Sequence, residues 1–430
     1  MKLILFVGLM VALDILTARE IKKIFPKFGN RYQRSIRITF VIQTILALSI
    51  VLGAYFMRGQ IRDYHWLAAC YYMLGFLLAI YFPKALFALF LLADRLISAL
   101  RQRSRRKQNL PARQERRFLA KCGLIVALLW MALMVWGILF GRYNYKIEPV
   151  EIFFDNLPQA FDGYKIVQIS DTHAGSYGGN VKHFEKAVAL INAQNPDIIV
   201  FTGDLVNNFS EELIPLTPVF SQLQAKEGKY AVLGNHDYGG YYRWKSSADS
   251  VANQAAIERH IAMMGFELLK NEAVVFSRNN TEQIALIGVE NWGRLKRFPK
   301  RADIETAMQP VANIPFKLLL SHDPAYWEEN IKGKTDIALT LSGHSHGMQM
   351  GIKLGQKRLS PAHFLYRHWS GLYAAGNQYL YVNRGLGVVV FPGRIGMSPE
   401  ITVITLRKEK KLHLHATFFE VQASIYKKSN

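Results

Sequence analysis

Cysteine is almost absent from this 430-residue chain, which contains only Cys70 and Cys122. Both lie in apolar stretches, and no cysteine follows residue 122. The second part of the chain therefore has neither a disulfide framework nor a thiolate metal site. Charged residues are also scarce, at 20% of the chain, whereas 50% of the residues are hydrophobic. This composition excludes a disordered chain and does not favour a wholly soluble one.

Acidic residues are particularly scarce in the first third of the chain. Residues 1–147 contain 23 Lys and Arg but only 5 Asp and Glu, while the remainder contains 30 and 27. The positive charges stand in short blocks between long apolar runs, a pattern typical of membrane proteins rather than of nucleic-acid binding. We therefore expect the membrane as a partner and no nucleic acid.

Four apolar segments lie in this first third, at residues 3–17, 38–57, 66–92 and 122–140. They predict about four transmembrane helices in a membrane anchor that spans residues 1–147. The first segment is short and contains Asp14, so a cleaved signal peptide that ends near Ala18 is the alternative. Pro83 in the third segment predicts a kink or an interfacial turn.

The basic residues of the anchor are concentrated in two of its connections. Six Lys and Arg lie between residues 19 and 34, and eight lie between residues 101 and 117. The connection between the second and third segments contains only two such residues, Arg58 and Arg62. Positively charged connections remain in the cytoplasm. Both basic connections are therefore predicted inside, which places the rest of the chain on the non-cytoplasmic side.

After Pro149, short β-rich runs alternate with helical ones, which predicts a layered α/β domain over residues 148–430. Five of these runs end in residues with oxygen or imidazole ligands. The motifs are Asp171-Thr172-His173, Gly203-Asp204, Gly234-Asn235-His236-Asp237, Ser321-His322-Asp323 and Gly343-His344-Ser345-His346. Ligands of layered sheets bind beyond the carboxyl ends of the strands, so we expect these side chains to converge. A single motif fits an ordinary turn or helix cap, but five in order predict a functional site.

In type and order, these motifs resemble the signature of calcineurin-like metallophosphoesterases. Tyr238 and the Gly347-Met348-Gln349 run are similar to the membrane-anchored bacterial branch of that family. The resemblance implies a β-sandwich flanked by helices, an integral protein of a bacterial inner or plasma membrane, and two divalent metal ions, which would be Mn, Fe or Zn. The implied ligands are Asp171, His173, Asp204 and His346 for one metal and Asp204, Asn235, His322 and His344 for the other.

The same resemblance implies the reaction, which is hydrolysis of a phosphate monoester or diester by a hydroxide that bridges the two metals. His236 would protonate the leaving group as a catalytic acid, with Asp237 orienting its ring. Arg384 and Arg394 are candidate substrate contacts because a guanidinium group matches phosphate oxygens, and Tyr238 is a candidate aromatic contact.

The anchor favours a phosphoester substrate at the membrane surface or in the cell envelope, such as a lipid-linked phosphate. A second candidate activity is a UDP-2,3-diacylglucosamine pyrophosphate hydrolase of lipid A synthesis, which would need its domain to face the cytoplasm. An alternative of another class is a catalytically idle membrane scaffold or a small transporter. The sequence leaves the oligomeric state open.

Overall fold

The computed structural model describes residues 2–26, 29–56, 64–111, 117–279, 281–293, 300–355 and 357–409. Within these ranges, a group of N-terminal helices precedes a domain built on two six-stranded sheets. Residues 1, 27–28, 57–63 and 112–116 of the predicted anchor lie outside the described ranges, and they include Lys27, Met57, Arg58, Arg62, Arg113 and Arg116.

The N-terminal helices follow the four apolar segments. They are α1 (Lys2–Ile24), α2 (Asn30–Phe56), α3 (Tyr64–Lys107) and α4 (Phe118–Leu139). In the described part of the chain, three stretches are long and apolar enough to cross a membrane, namely Asn30–Gly53, Tyr64–Lys107 and Phe118–Tyr143. A span by α1 stays a prediction. Of the two alternatives at Pro83, the interfacial turn is not formed, because α3 continues through this residue, and proline is tolerated in helices that neighbouring helices support. A kink at Pro83 stays a prediction.

Polar contacts around Asp14 hold α1 against α2 and α3. Lys84 of α3 forms an ion pair with Asp14, and the Tyr81 hydroxyl donates a hydrogen bond to it at 2.9 Å. Thr44 of α2 donates a further hydrogen bond to the same carboxylate. An acidic side chain within a membrane region requires such partners. These contacts join α1 to both neighbouring helices.

The remaining elements form the β-sandwich flanked by helices that the resemblance implies. The strands are β1 (Lys146–Phe154), β2 (Lys165–Ile169), β3 (Ile198–Phe201), β4 (Lys229–Ala231), β5 (Glu267–Leu268), β6 (Glu272–Arg278), β7 (Glu282–Gly288), β8 (Lys317–Leu320), β9 (Leu339–Ser342), β10 (Ile352–Leu354), β11 (Lys357–Leu359), β12 (Gly371–Ala375), β13 (Gln378–Val382) and β14 (Glu400–Lys408). The helices are α5 (Lys182–Asn192), α6 (Thr217–Phe220), α7 (Ser247–Met263) and α8 (Ile304–Met308).

The strand order is β1-β14-β2-β3-β4-β5 in one sheet and β12-β13-β9-β8-β7-β6 in the other, and β10 pairs with β11 in a separate hairpin. Parallel strands in the first sheet are β2, β3 and β4. Parallel strands in the second sheet are β7, β8, β9 and β13. The polar motifs follow β2, β3, β4, β8 and β9, as the sequence predicts.

Apolar side chains fill both faces of the parallel strands. Ile166 and Val200 of the first sheet pack between the sheets against Leu318 of the second. Val167 and Ile199 belong to a second buried cluster, which includes residues of α5 and α7. Burial on both faces explains why these strands are continuous apolar runs rather than alternating ones.

The N-terminal helices contact the sandwich directly through Arg142, which follows α4. Its guanidinium group is fully buried and donates to the Tyr72 hydroxyl at 3.1 Å, to the Pro392 carbonyl at 2.9 Å and to the Ser176 carbonyl at 3.2 Å. One side chain therefore joins α3 to two loops of the sandwich.

Candidate metal centre

Asp171, His173 and His346 form the first group of metal-ligating side chains. The Nε2 atom of His346 lies 3.2 Å from Asp171 Oδ1 and 3.0 Å from His173 Nε2. All three residues are buried, and the Nδ1 atom of His173 has no hydrogen-bond partner among the described residues. Imidazole nitrogens that point at one another and at a carboxylate are arranged as ligands of a divalent cation.

A second group converges on His322. Its Nε2 atom lies 3.1 Å from Asp204 Oδ2, 3.2 Å from Asn235 Oδ1 and 3.2 Å from His344 Nδ1. Asp204 Oδ2 also lies 3.7 Å from His173 Nε2 of the first group. The structure thus brings together all seven predicted ligands, with Asp204 between the two groups.

The backbone is left-handed at five of these seven residues. The φ angles are 51° at Asp171, 42° at His173, 61° at Asp204, 74° at His344 and 51° at His346. Such conformations are uncommon for residues other than glycine and cost roughly 1–3 kcal/mol each. Gly343 assists them, because a Cβ atom there would collide with the Asp171 carboxylate. Strained backbone concentrated in one cluster is typical of a functional site.

Burial and the neighbouring charges shift the pKa values of the side chains in the cluster. Burial alone would raise the pKa of Asp171, but the neighbouring His346 holds it at about 2. Burial would similarly raise the pKa of Asp204, yet the adjacent imidazoles, His322 first, hold it well below its usual range. Burial acts to lower the pKa of His322, and the charge and hydrogen bond of Asp204 raise it instead to about 10. Both buried carboxylates therefore remain deprotonated, which is the form that binds a metal cation.

His236 lies beside the first group, with its ring 4.7 Å from that of His173. Its Nδ1 atom is 2.7 Å from the Asn207 carbonyl, and its ring stacks on Tyr241 at 4.2 Å. The carbonyl therefore keeps the proton on Nδ1 and leaves Nε2 to exchange a proton with a ligand. Burial lowers the pKa of His236, against the opposing pull of Asp204.

Asp237 does not orient the ring of His236, contrary to the expectation from the sequence. Its carboxylate instead accepts backbone N–H groups from both neighbouring loops, including those of Asp204 and Gly234 at 2.8 Å. Burial and the charge of Asp204 raise the pKa of Asp237 to about 7, while these N–H groups act in the opposite direction. The orientation of His236 comes from the Asn207 carbonyl.

Arg394 and Arg384 are engaged by the protein itself. Arg394 is 1% exposed and donates to the carbonyls of Gly387, Met397 and Arg384, with its Nη2 atom 3.3 Å from His346 Nδ1. Arg394 therefore positions His346, one of the predicted metal ligands, instead of extending toward a substrate.

Arg384 forms ion pairs with Glu148 at 2.9 Å and Glu400 at 3.0 Å. Its charge is thereby neutralised by two carboxylates, which does not favour phosphate binding. Tyr238 is similarly engaged, because its hydroxyl donates to Glu290 at 3.2 Å and accepts the Asn291 N–H at 3.4 Å. The three candidate substrate contacts therefore have structural partners.

Sequence reasoning missed the residues that fix the Asn207 loop. The buried Glu212 carboxylate accepts the N–H groups of Gly175 and Asn207 at 3.0 and 2.6 Å, and Asn207 Oδ1 accepts the Tyr71 hydroxyl of α3 at 3.3 Å. Tyr366 was missed as well, and its ring packs edge-on against His344 at 5.7 Å. These roles depend on contacts between residues that are distant in sequence, and no local sequence pattern predicts such contacts.

Comparison with known proteins agrees with this geometry. Residues 1–142 match the family model described as "Probable Calcineurin-like phosphoesterase, transmembrane domain", and residues 164–348 match the model described as "Calcineurin-like phosphoesterase". The chain is 31% identical over 276 residues to metallophosphoesterase YkuE of Bacillus subtilis (strain 168), an overlap of 62% of this chain and 89% of the relative. The chain belongs to the calcineurin-like metallophosphoesterase family.

Other members of the metallophosphoesterase family extend the similarity. "Transmembrane protein with metallophosphoesterase domain" of Danio rerio is 30% identical over 377 residues, which cover 85% of this chain and 80% of that protein. "Phosphodiesterase YaeI" of Escherichia coli (strain K12) is 27% identical over 245 residues, 56% of this chain and 82% of that protein. The chain is accordingly a metallophosphoesterase, a hydrolase of phosphate esters, with a transmembrane domain at its N-terminal end.

Proposed function

We propose that this metallophosphoesterase binds two divalent metal ions, which would be Mn, Fe or Zn, and hydrolyses a phosphate monoester or diester presented at the membrane surface. The observation that supports two metals is the position of Asp204. Its Oδ2 atom approaches His322 Nε2 of one group at 3.1 Å and His173 Nε2 of the other at 3.7 Å. Two cations held close together require such a shared anion.

The donor set fits this proposal. Mixed imidazole, carboxylate and amide ligands suit Mn, Fe and Zn, and the Nε2 atoms of the buried His173 and His346 face each other at 3.0 Å, as two ligands of one cation would. The proposed ligands are Asp171, His173, Asp204 and His346 for one ion and Asp204, Asn235, His322 and His344 for the other. When bound, the two ions would supply Lewis acidity, which activates water and polarises the phosphoryl group.

His236 is the proposed catalytic acid. The leaving oxygen would receive the proton that the doubly protonated ring carries on Nε2, while the Asn207 carbonyl retains the proton on Nδ1. Stacking on Tyr241 restricts the ring, and the backbone N–H of His236 donates to Asp204 Oδ1 at 2.9 Å. The acid is therefore held at a fixed position beside the proposed bridging carboxylate.

The substrate is proposed to lie at the membrane surface on the non-cytoplasmic side. The 22 residues of α4 span about 33 Å, with the basic connection at one end and the sandwich at the other. An engineered cysteine on the sandwich, in a chain without Cys70 and Cys122, should react with a membrane-impermeant maleimide in intact cells. Protection of this cysteine until lysis would contradict the proposed side and favour a UDP-2,3-diacylglucosamine pyrophosphate hydrolase facing the cytoplasm.

Turnover of chromogenic esters tests the reaction. Detergent-purified full-length protein should hydrolyse bis-p-nitrophenyl phosphate or p-nitrophenyl phosphate after loading with Mn, Fe or Zn. Asp204→Asn is the informative variant, because it removes the proposed shared anion, and Asp249→Asn on the exposed surface of α7 is the matched control. Absence of turnover by the wild-type protein with every metal, or full activity of Asp204→Asn, would overturn the proposal.

A further inference from the structure

The β10–β11 hairpin places its apolar face outward. Ile352 and Leu354 are two residues apart on β10, and Leu359 of β11 is the cross-strand partner of Ile352, so all three share one face. Their exposed fractions are 57%, 59% and 58%. Phe364 and Leu365, shortly after the hairpin, are 87% and 63% exposed. We call these five residues the hairpin patch.

The opposite face of the hairpin is basic, and its Arg358 contacts the sandwich. Lys353 and Arg358 are cross-strand partners on this face. Arg358 forms an ion pair with Glu148 of β1 at 2.9 Å, and Glu148 is also paired with Arg384. A strand at the surface of a soluble domain normally turns its apolar face inward. Here three apolar side chains are exposed while Arg358 is ion-paired with the sandwich, an arrangement that is typical of a surface that contacts another apolar phase.

The base of the hairpin is continuous with the membrane helices. Met350, two residues before β10, packs on a buried cluster formed by Ala79 of α3, Met134 of α4, Phe391 and Ile395. The next residue donates its N–H to the Ile395 carbonyl at 2.8 Å. The hairpin therefore begins beside two helices that are long and apolar enough to cross the bilayer.

The loop that contains Arg394 shows which part of α4 lies beside the base of the hairpin. The Arg394 N–H donates to the Gly137 carbonyl in the last turn of α4 at 3.1 Å, and Gly141 just beyond that turn lies against the Arg394 carbonyl. This is the end at which α4 leaves its apolar run and enters the sandwich. A hairpin that begins here lies at the level where a spanning helix reaches the membrane surface.

We propose that the hairpin patch inserts into the surface of the same bilayer that α3 and α4 cross, as a lipid contact additional to the spans. The occupant is lipid, because the patch continues the apolar surface of the membrane helices. Lys357, the cross-strand partner of Leu354, shares this face, and a lysine at that position suits the anionic headgroups of a membrane surface. Outward leucine, isoleucine and phenylalanine side chains gain the free energy of removal from water when they enter the acyl region.

The patch also lies beside the metal centre. The chain passes from His346 to Met350 directly into β10, and Tyr366 follows Leu365 of the patch and packs against His344. A lipid whose acyl chains contact the patch would thus present its phosphate near His344. This second step rests on the proposed function, and it defines the substrate class as a phosphate ester carried by a membrane lipid.

Nitroxide labels on the full chain in phosphatidylcholine nanodiscs test insertion without any need for activity. One label replaces Leu354 through Leu354→Cys, in a Cys70→Ser, Cys122→Ser background. The control label uses Met263→Cys, because Met263 is 64% exposed and lies near Lys229, at the opposite end of the strands from the metal centre. Accessibility is measured to molecular oxygen, which enters lipid, and to a nickel chelate, which remains in water.

The proposal predicts that the Leu354 label is relaxed by oxygen and shielded from nickel, whereas the Met263 label is relaxed by nickel. Equal nickel accessibility of the two labels would show that the patch faces water and would overturn the proposal. Shielding of the Leu354 label from both reagents would also overturn it, because a protein partner or a second copy would then cover the patch.

A second measurement tests the substrate class. Leu354→Asp with Leu359→Asp should leave turnover of bis-p-nitrophenyl phosphate unchanged and reduce turnover of phosphatidic acid in phosphatidylcholine vesicles by roughly tenfold or more. Parallel loss on both substrates, or no loss on either, would overturn the lipid-presentation step. If the wild-type protein turns over neither substrate, the proposed function fails, while the label accessibilities still decide whether the patch inserts.

Discussion

Replacing Asp237 by asparagine should destabilise the loops that hold the metal centre. The Oδ2 atom of Asp237 accepts the backbone N–H groups of Asp204 and Gly234, both at 2.8 Å. Its Oδ1 atom accepts those of Leu205 at 2.8 Å and Val206 at 3.3 Å. One buried carboxylate thus satisfies four donors that belong to the loops after β3 and β4, including the loop of the proposed bridging ligand.

Asparagine retains one oxygen and places an amide NH2 opposite two of the four N–H groups. Each buried donor left without an acceptor costs about 1–3 kcal/mol, so the variant should lose about 2–6 kcal/mol of unfolding free energy. A carboxylate that only oriented His236 would give a different result, with slower turnover and nearly unchanged stability. The two alternative roles of Asp237 therefore predict different results: loss of stability for the loop contacts, and slower turnover for orientation of His236.

The assay is thermal unfolding of the detergent-purified full chain, with metal and with chelator, alongside the metal content of each sample. Asp249→Asn makes the same chemical change on the exposed surface of α7 and should change stability by no more than about 0.5 kcal/mol. If Asp237→Asn unfolds like the wild type and differs only in turnover, the assignment of Asp237 to the backbone loops is refuted.

Three further predictions follow from the site. His236→Ala should retain its metal content and lose about 10²- to 10⁴-fold in turnover, measured with bis-p-nitrophenyl phosphate, and loss of metal would contradict its role as the acid. Tyr71→Phe removes the hydroxyl that holds Asn207 and should lower kcat while metal content stays constant; an unchanged kcat would show that α3 does not position the acid. In the presence of chelator, unfolding stability should fall as pH rises from 6.5 toward about 10, because folding raises the pKa of His322 and the Asp204 ion pair is lost as His322 deprotonates. Calorimetry across this pH range checks the last prediction, which a flat or rising profile would contradict.

The strands and the cluster of metal-ligating residues could be predicted because both depend on local sequence patterns. Runs such as 165–169 and 198–201 are apolar on both faces, so their strands and their burial could be anticipated. The ligand motifs follow the ends of those strands. Parallel pairing brings Asp171 and Asp204 to one edge of the first sheet, and His322 and His344 to one edge of the second.

The supporting contacts could not be predicted in this way. A guanidinium group in a glycine-rich loop is equally compatible with phosphate binding and with ion pairing, and the choice for Arg384 depends on Glu148, which is 236 residues away. The role of Asp237 depends on four N–H groups whose directions are fixed only once two loops have packed. The contact of Tyr71 with Asn207 depends on how α3 meets the sandwich, which no periodicity encodes.

The charged residues of the membrane region illustrate the same limit. The sequence identified Asp14 as an unusual acidic residue in an apolar segment, and pairing was the physical requirement. Its partners Lys84 and Tyr81 lie about seventy residues further along the chain, on α3. The requirement could therefore be predicted from local sequence, whereas the identity of the partners could not.

Metal stoichiometry tests the central claim most directly. The full-length protein is loaded with Mn, freed of excess metal and analysed by inductively coupled plasma mass spectrometry beside Asp204→Asn, with turnover measured on the same samples. We predict two metal ions per wild-type chain, and loss of both ions together with turnover when the shared carboxylate is replaced. A wild-type enzyme that is active with one ion or none, or an Asp204→Asn variant that keeps two ions and full turnover, would contradict the account.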